Sequence, residues 1–466
     1  MLAGRGSAMR RSLCAVALAG AVVQAPLAAA MARQEVEATI AAAMTQIVDR
    51  YVDPLDSRTL VVHGLRELKA LPGADEPSHQ AAIERAVLVG HQTQGITPQT
   101  RLLADEVLRF ADGASRQTAL SATLRGMMAG LDAHSRVATR AELAPPPASV
   151  GLELSIRDGA LTVVRPLPGS PGERAGIQIG DIVTQVDGRA TAGLPLPEAV
   201  ALLRGTPGTR TTLTLQRPGT ADTIMVQPVR GPVQAPPTVR WERDGAVAVI
   251  RISAFDSKTG GQLRDALDAV SARAVAPLAG LVLDLRGNVG GLLDVAEHVA
   301  GLILPEGSAI GSLGGRTPAD SRSLRARDPL VPHDVPVVVL VNHRTGAGAE
   351  IVAAALQDHG RALLIGTKTM GAGTIQTVLP LPANQGALVI TTARVHRANG
   401  ARLDEGISPD MLLDNASRQI TVRADLAADF NSTLAQRVRM TVASAPAGAD
   451  VALLAALAAL TAVPGD

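Results

Sequence analysis

The spacing of hydrophobic and polar positions changes along this chain of 466 residues. In the first third, apolar side chains recur at helical spacing, most clearly at 40–51 and 119–131. From 148 to 232 the pattern becomes short alternating runs separated by turns, which predicts β-strands. Two of those runs meet at Asp158-Gly159, a pair typical of a tight hairpin. The pattern therefore predicts a helical region followed by a β-rich domain.

Beyond residue 232 strand-length and helical patterns alternate, which indicates an α/β core. The run at 335–342 is continuously apolar, as expected of a strand buried on both faces. After residue 415 the sequence is Ala-rich and weakly helical and carries no chemistry of its own. We predict an α/β multidomain protein with five segments: a signal peptide (1–32), an N-terminal helical region (33–147), a β-rich domain (148–232), an α/β core (233–414) and a C-terminal Ala-rich tail (415–466).

The N-terminus has the pattern of a targeting segment. Three arginines within the first eleven residues precede an apolar run at 13–30, and small residues then supply a cleavage site, which we place after Ala32. A glutamine and a proline interrupt the run, which favours a signal peptide over a membrane anchor. The only cysteine, Cys14, lies in the segment to be removed. An exported chain without cysteine fits a bacterial periplasm.

Composition excludes several classes of function. The formal net charge is +1 and aromatic residues make up 1% of the chain. Electrostatic attraction to nucleic acid or to a membrane surface is therefore weak, and stacking platforms for bases are hard to build. The sequence contains neither a zinc-protease helix motif nor a phosphate-binding loop. We predict no cofactor, no metal site, no nucleic-acid partner and no membrane span in the mature chain.

The segment 341–360 has the pattern of a buried strand, a glycine-rich turn and a helix, a place where enzymes often carry a nucleophile. Its turn reads Thr-Gly-Ala-Gly-Ala-Glu, and Thr345 is the only residue in it that could attack a substrate. The pattern alone does not say what the turn is for.

Several blocks in a fixed order give the chain a family resemblance. Over nearly its whole mature length it resembles the carboxyl-terminal processing, or tail-specific, serine proteases. The resemblance implies a PDZ domain at 148–232 and a protease core built from ββα units like those of crotonase and Clp protease. The blocks that carry it are 131–135 (Leu-Asp-Ala-His-Ser), 151–154, 284–291 (Asp-Leu-Arg-Gly-Asn-Val-Gly-Gly), 357–362, 374–376, 391–394 and 406–410.

The resemblance also shows where the catalytic residues should be. The family serine lies three residues before a glutamate, here Glu350, and that position is Ala347. The family lysine corresponds to Ala372, whereas the polar residue that orients it is retained as Gln376. Residues around Ala347 that are serines in the family are also glycine or alanine here, which favours natural loss over an engineered substitution. The resemblance therefore implies a pseudoprotease.

Binding groups are implied as well. By the resemblance, the family's oxyanion-type donors correspond to Gly290, Gly291 and Gly348. Backbone N–H groups at a helix start favour anions whatever the side chains, so these donors do not depend on the catalytic residues. In the PDZ domain a loop and the following helix should take a C-terminal peptide by strand addition. The residues expected there are Gly151, Leu152, Glu153, Leu154, Val200 and Leu203.

Two hypotheses of function follow. The first is an exported homologue that binds protein C-termini without cleaving them; candidate partners include an active relative or further copies of the chain. The alternative is an active C-terminal processing endopeptidase that uses Thr345 and Lys368. Thr345 is displaced by roughly 6–7 Å from the serine position and Lys368 by about 13 Å from the lysine position, whereas attack needs about 3–3.5 Å. The first hypothesis is favoured.

Overall fold

The structure is a computed structural model of the full chain. Part of the chain is outside what it describes, including the predicted signal peptide up to residue 31 and the proline run at 145–147. In the part described, no helix has both the length and the apolar character needed to cross a bilayer. The described residues are 32–72, 77–110, 113–143, 148–220, 222–231, 237–272, 278–414, 416–423 and 432–461.

The N-terminal region is helical, as predicted. Two of its helices cross closely because each carries a glycine at the crossing: a Cβ on Gly126 would lie 2.5 Å from the carbonyl oxygen of His63 and 3.0 Å from the Cα of Gly64. A short strand and a one-turn helix follow. The elements are α1 (Arg33–Arg50), α2 (Ser57–Lys69), α3 (Pro77–Gly90), α4 (Ile96–Val107), α5 (Gly113–Ala129), β1 (Arg136–Ala138) and α6 (Arg140–Leu143).

The β-rich domain forms one sheet of six strands. The predicted hairpin is confirmed: Asp158 and Gly159 both have positive φ, 49° and 76°, as a two-residue hairpin turn requires. The strand order is β2-β3-β4-β6-β7, with β5 paired to β4, so β2 lies at an edge. The elements are β2 (Leu152–Arg157), β3 (Ala160–Pro166), α7 (Pro171–Arg174), β4 (Ile182–Val186), β5 (Arg189–Ala190), α8 (Leu196–Leu203), β6 (Leu213–Gln216) and β7 (Thr223–Val226).

The remainder of the chain contains two further sheets and five helices longer than two turns among its described residues. Its elements are β8 (Val239–Asp244), β9 (Val247–Ile252), α9 (Thr259–Ala272), β10 (Gly280–Asp284), α10 (Leu293–Gly301), β11 (Ala309–Gly315), β12 (Arg322–Arg325), β13 (Val337–Val341), α11 (Gly348–Asp358), β14 (Ala362–Gly366), β15 (Thr374–Pro380), β16 (Ala387–Arg397), β17 (Met411–Asp414), β18 (Gln419–Val422), α12 (Ser432–Ala443) and α13 (Val451–Leu460).

The larger of these sheets has seven strands in the order β18-β17-β14-β13-β10-β9-β8. Its five inner strands are parallel, and β8 and β18 are antiparallel at the edges. The prediction of a strand buried on both faces is confirmed at β13, where every residue is buried. Val339 belongs to the core on the side of α9, α10 and α11, and Val338 belongs to the core on the opposite face.

The C-terminal stretch, which composition described only as an Ala-rich and weakly helical tail, packs on the seven-stranded sheet. Strand β18 extends the seven-stranded sheet, and α12 and α13 cover the face of that sheet opposite α11. Val438, Ala455 and Ala456 are fully buried there. Alanine is the appropriate residue at such positions because its small side chain lets a helix lie close to the sheet. The stretch is therefore an integral part of the α/β core.

The second sheet of the core joins it to the N-terminal helices. Strand β16 pairs with β15 along one side and with β1 and β11 along the other. Leu379 on β15 and Leu388 on β16 lie in the same hydrophobic core as α1, α2 and α5. Two ion pairs, Arg50–Asp320 and Asp53–Arg394, lie beside that core. The helical region is therefore packed against the core rather than linked to it by chain alone.

A network of charged side chains connects α13 with the end of β10. The guanidinium of Arg286 donates to both oxygens of Asp284, at 2.9 and 2.8 Å, and to both oxygens of Asp450, at 2.8 and 2.7 Å. Asp450 also caps α13 by accepting from the backbone N–H of Leu453. Burial alone would lower the pKa of Arg286, but these carboxylates raise it above its ordinary value. Hydrogen bonds from Arg286 lower the pKa of Asp450.

Asp450 offers a test of this attachment. Replacing it with alanine removes both the cap and the ion pair, and we expect the free energy of unfolding to fall by about 2 kcal/mol; Asp450→Asn keeps a capping oxygen and should lose about 1 kcal/mol. The ion pair adds little to the free energy of unfolding because the Asp450 side chain is 45% exposed to solvent. Urea denaturation at neutral pH measures both.

The pH dependence of this pair follows from the direction of the pKa shift. The folded-state pKa of Asp450 lies below its unfolded value, which is about 4. The ion pair therefore stabilises the fold fully at pH values above the unfolded pKa. Its contribution is lost as the pH falls through the folded pKa. The difference in stability between wild type and Asp450→Asn should therefore shrink between pH 7 and pH 2. An unchanged difference would show that the pair is not ionic.

Candidate functional site

Two turns meet at the edge of the seven-stranded sheet where the parallel strands end. The turn at 285–291 follows β10, and the turn at 342–347 follows the neighbouring strand β13 and leads into α11. The carboxyl ends of parallel strands are where α/β proteins usually bind ligands. A backbone hydrogen bond from Gly346 N–H to Asn288 O, at 2.9 Å, joins the two turns directly.

Asn342 and Thr345 hold the second turn in shape. The side-chain oxygen of Asn342 accepts from the N–H of Gly287 and of Arg344, both at 3.0 Å. The Thr345 hydroxyl is fully buried, donates to Leu285 O at 2.9 Å and accepts from Asn342 N–H at 3.0 Å. Thr345 therefore has a structural role, and its oxygen is not directed into open space.

Ala347 has a conformation that alanine rarely adopts. Its φ and ψ are 46° and −116°, in a region that costs a non-glycine residue about 1–3 kcal/mol. Its side chain is only partly buried, and its N–H donates to Oε2 of Glu350 at 3.0 Å. Strained backbone of this kind is concentrated at functional sites, where the surrounding structure fixes it. The turn keeps this geometry although the residue has no reactive group.

Glu350 connects the backbone at Ala347 with the backbone at Ala372. It is fully buried, and its Oε2 accepts from the N–H of both Ala347, at 3.0 Å, and Ala372, at 2.8 Å. Its Oε1 accepts from the Thr369 hydroxyl and from Gly371 N–H. A buried carboxylate is stable only when its oxygens are hydrogen-bonded, and here four donors provide those bonds. The carboxylate therefore fixes the backbone of Ala347 relative to that of Ala372.

The glycine turn at 285–291 packs against Ala347. A Cβ on Gly290 would lie 2.7 Å from Cβ of Ala347, and a Cβ on Gly291 would lie 2.1 Å from Phe255 O, so neither position admits a side chain. The N–H of Gly290 is already bonded to Asn288 Oδ1 at 2.9 Å, so Gly290 cannot serve as the oxyanion donor that the resemblance suggested. Among the described residues, the N–H groups of Gly291 and Gly348 have no hydrogen-bond acceptor.

The remaining predicted residues lie on β15 and on the loop that precedes it. Ala372 is partly exposed and its backbone lies beside Glu350. Gln376 is on β15, where its amide donates to Thr374 Oγ1 at 2.8 Å and to Thr391 Oγ1 at 3.4 Å. The Lys368 side chain is exposed on the loop that precedes Met370. In the described residues no cluster of His, Asp or Glu has an arrangement that would hold a metal ion.

Three large apolar side chains surround the turn. Val289, Leu292 and Met370 are 57%, 53% and 50% exposed. A Cβ on Gly346 would lie 3.0 Å from the sulfur of Met370, which places that side chain against the turn. These three residues were not predicted, because isolated apolar residues in loops carry no periodic signal. The turn therefore has an apolar margin.

The role of Glu350 was also not predicted. It appeared in the sequence only as a reference point for locating the serine position. The spacing did contain a signal, because a glutamate three residues after the residue that precedes a helix is typical of a capping box. Its contacts with Thr369, Gly371 and Ala372 link distant segments, which no local pattern reveals.

The β-rich domain places most of its predicted binding residues on β2 and on the neighbouring helix α8. Gly151 has positive φ, 73°, and leads into β2, which packs beside α8. Leu152 and Leu154 are half-buried, and Glu153 pairs with Arg165. Val200 on α8 is half-buried too. Leu203, in contrast, is only 2% exposed and belongs to the domain's core, so its side chain is not available to a ligand.

The comparisons with known families agree with the architecture. A family model described as "Peptidase family S41" matches residues 246–413, and a "PDZ domain" model matches residues 162–217. The first match includes both turns of the site and Ala372. The second includes most of the six-stranded sheet.

Individual relatives have matching names. A "Carboxy-terminal-processing protease" of Bartonella bacilliformis is 33% identical over 64% of this chain and 70% of that protein. The "Carboxy-terminal processing protease CtpA" of Bacillus subtilis is 33% identical over 56% of this chain, and only 55% of its own length is matched. Among solved structures, a "photosystem II D1 C-terminal processing protease" is 25% identical, with 82% of this chain and 94% of that chain covered at a TM-score of 0.44.

The strain at Ala347 can be measured. We expect Ala347→Gly to raise the free energy of unfolding by about 1 kcal/mol, because glycine adopts positive φ freely and this gain exceeds the added entropy of the unfolded chain. Thermal and urea denaturation provide the measurement. The expected sign is opposite to that of most Ala→Gly changes.

Ala353→Gly is the matched control, since Ala353 is fully buried in the middle of α11. That change should lower the free energy of unfolding by about 1–2 kcal/mol through helix propensity and a small cavity. If Ala347→Gly destabilises the protein as much as the control does, the turn is not strained.

Proposed function

We propose that this chain, which belongs to the carboxy-terminal processing proteases of peptidase family S41, binds the C-terminal segments of other proteins without cleaving them. The observation that carries the proposal is the pair Ala347 and Ala372. By the family resemblance, alanine stands at the serine position, in the turn before α11, and at the lysine position, in the loop before β15, and Glu350 accepts from both backbone N–H groups.

The chemistry of the family needs both missing groups. A neutral lysine removes the proton of the serine hydroxyl, and the resulting alkoxide attacks the peptide carbonyl. In a serine protease, removing the nucleophile or the base alone costs about 10⁶ in turnover. Two alanines at these positions therefore support loss of proteolysis by this route.

The contacts of the nearest candidate substitutes support the same conclusion. The hydroxyl of Thr345 is buried and engaged with Leu285 and Asn342, so using it as a nucleophile would require the turn to rebuild. Lys368 precedes the lysine position by four residues, and its side chain is exposed. An active peptidase built from these two residues would therefore need a different loop conformation.

Parts of the frame that would hold a ligand are retained. The N–H groups of Gly291 and Gly348 lack acceptors among the described residues, and Gly348 begins α11, whose N-terminus carries partial positive charge. Such donors suit a peptide carbonyl or carboxylate. We propose that this pocket holds a ligand's carbonyl group without reaction.

The PDZ domain is the main binding element in this proposal. PDZ domains add the C-terminal strand of a ligand to a sheet edge and take its carboxylate on backbone N–H groups. The free edge of β2, the positive φ of Gly151 and the half-buried Val200 support this mode here. The N-terminal targeting pattern further supports export, and we propose the bacterial periplasm as the place where the protein works.

Restoring the two missing side chains tests whether the frame is intact. We expect Ala347→Ser with Ala372→Lys to cleave a fluorogenic C-terminal peptide, because the backbone amides of both positions share Glu350 as their acceptor. Peptide cleavage is followed by fluorescence and confirmed by mass spectrometry. The rate should exceed that of wild type by at least about 10³.

The single variants Ala347→Ser and Ala372→Lys are the controls, and neither should show turnover above wild type, since the serine and the lysine act as a unit. A double variant that keeps the wild-type melting temperature but leaves the peptide intact would contradict the claim that the frame has been preserved.

Binding of C-termini can be tested separately with the intact natural chain. A fluorescein-labelled hexapeptide that ends in Val-Ala-Ala should bind at least about tenfold more tightly with a free carboxylate than with a C-terminal amide, because PDZ domains hold the carboxylate through hydrogen bonds. Fluorescence anisotropy measures both affinities. Val200→Asp should weaken binding of the free carboxylate form.

Met225→Asp is the matched control for that variant, because Met225 is 68% exposed on β7 at the opposite edge of the same sheet from β2. It should leave the affinity unchanged. Equal affinities for the carboxylate and the amide would overturn the proposed function.

A further inference from the structure

Strand β15 presents an open edge beside the candidate site. Among the described residues, β15 pairs only with β16. It begins two residues after Ala372, so it leads directly away from the lysine position. Its alternation is clear, since Gln376 and Val378 are exposed whereas Leu379 is buried. The question is which backbone groups of this strand face outwards.

The hydrogen bonds around β15 fix the direction of each residue. Leu381 N–H donates to Gly386 O at 2.9 Å, so Leu381 faces β16, and alternation then directs Thr377 and Leu379 towards β16 as well. Thr391, the partner of Gln376 in the register, uses its N–H for Ser135 Oγ and its carbonyl for Val52 N–H. It therefore has no backbone group left for Gln376.

The N–H and C=O groups of Gln376 and Val378 consequently point away from the sheet. The far end of this edge is closed, because Pro380 has no N–H and its carbonyl accepts from the side chain of Gln46 at 3.2 Å. Proline and a capping side chain are devices that limit pairing at edge strands. The near end, towards Ala372, has no such closure.

We propose that this edge binds an extended polypeptide segment of the captured protein by strand addition at Gln376 and Val378. The alternating donors and acceptors match only a chain in extended conformation. The half-exposed Val378 side chain adds an apolar contact, and the apolar margin of Val289, Leu292 and Met370 continues around the turn. The inference rests on the proposed function, since it assigns this peptide a second contact outside the PDZ domain.

A second copy of the chain is a poorer occupant for this edge. Among the described residues of β15, the outward-facing backbone groups run from Gln376 to Val378, and Pro380 closes the edge beyond them. Three residues of strand span about 10 Å, whereas stable interfaces between proteins bury at least about 1,200 Å². An extended peptide needs no more than this short edge together with the adjoining turn.

The test uses the full natural chain and the fluorescein-labelled peptide Lys-Val-Thr-Val-Thr-Lys with a C-terminal amide, which lacks the carboxylate that the PDZ domain requires. Val378→Pro removes the outward N–H without removing a bond to β16, and we expect it to weaken binding by at least about tenfold. The control Val378→Thr keeps that N–H and should stay within about twofold of wild type. Fluorescence anisotropy measures each affinity.

Two forms of the peptide give a test that does not depend on a variant. In an added strand the backbone N–H groups of alternate residues face the sheet edge. One peptide is N-methylated at both valines and the other at both threonines. We expect one of them to lose binding and the other to retain it. This comparison decides the matter if Val378→Pro does not fold, which its melting temperature would show.

Three results would overturn the proposal: no binding of the amidated peptide to the wild-type chain, equal affinity of wild type and folded Val378→Pro, or equal affinity of the two N-methylated peptides. These outcomes are separable from failure of the proposed function. That function is tested with a carboxylate-terminated peptide and with Val200→Asp, neither of which involves β15.

Discussion

The buried carboxylate of Glu350 is the interaction on which the geometry of the site depends. It caps the start of α11 by accepting from Ala347 N–H. It also fixes the loop before β15 by accepting from Thr369, Gly371 and Ala372. None of these bonds involves a serine or lysine side chain. An unsatisfied carboxylate at this depth would cost several kcal/mol, so the fold keeps the arrangement whether or not the site is catalytic. The proposed loss of reactive groups at Ala347 and Ala372 is therefore compatible with this hydrogen-bonded arrangement.

The rest of the core supports this centre from two sides. The parallel sheet carries both turns at one edge, and helices cover both of its faces, so the turns are anchored on rigid strands. Arg286, the second residue of the glycine turn, is held by Asp284 and by Asp450, which caps α13. On the other side, β15 and β16 share a core with the N-terminal helices. Segments that are distant in sequence therefore fix the position of the site.

Several local features could be predicted from the sequence because local chemistry determines them. The hairpin at Asp158-Gly159 and the buried strand β13 are confirmed. The assignment of Ala347 and Ala372 to the serine and lysine positions rests on the family resemblance and stays a prediction. Long-range packing could not be predicted in the same way. The Ala-rich C-terminal stretch has little periodic contrast, since alanine is common both inside and at the surface, so its burial against the sheet was missed. Gly290 was assigned as a free donor because only the structure shows Asn288 taking its N–H.

The central claim is that the natural chain holds peptides in a preserved frame and does not cut them. Its most direct test is to incubate purified wild-type protein at high concentration with a C-terminal peptide and to quantify intact and cleaved peptide by mass spectrometry. The account predicts saturable binding and no cleavage above the buffer control. Cleavage activity that co-elutes with the protein in size-exclusion chromatography, and that is lost in Lys368→Ala, would contradict the account.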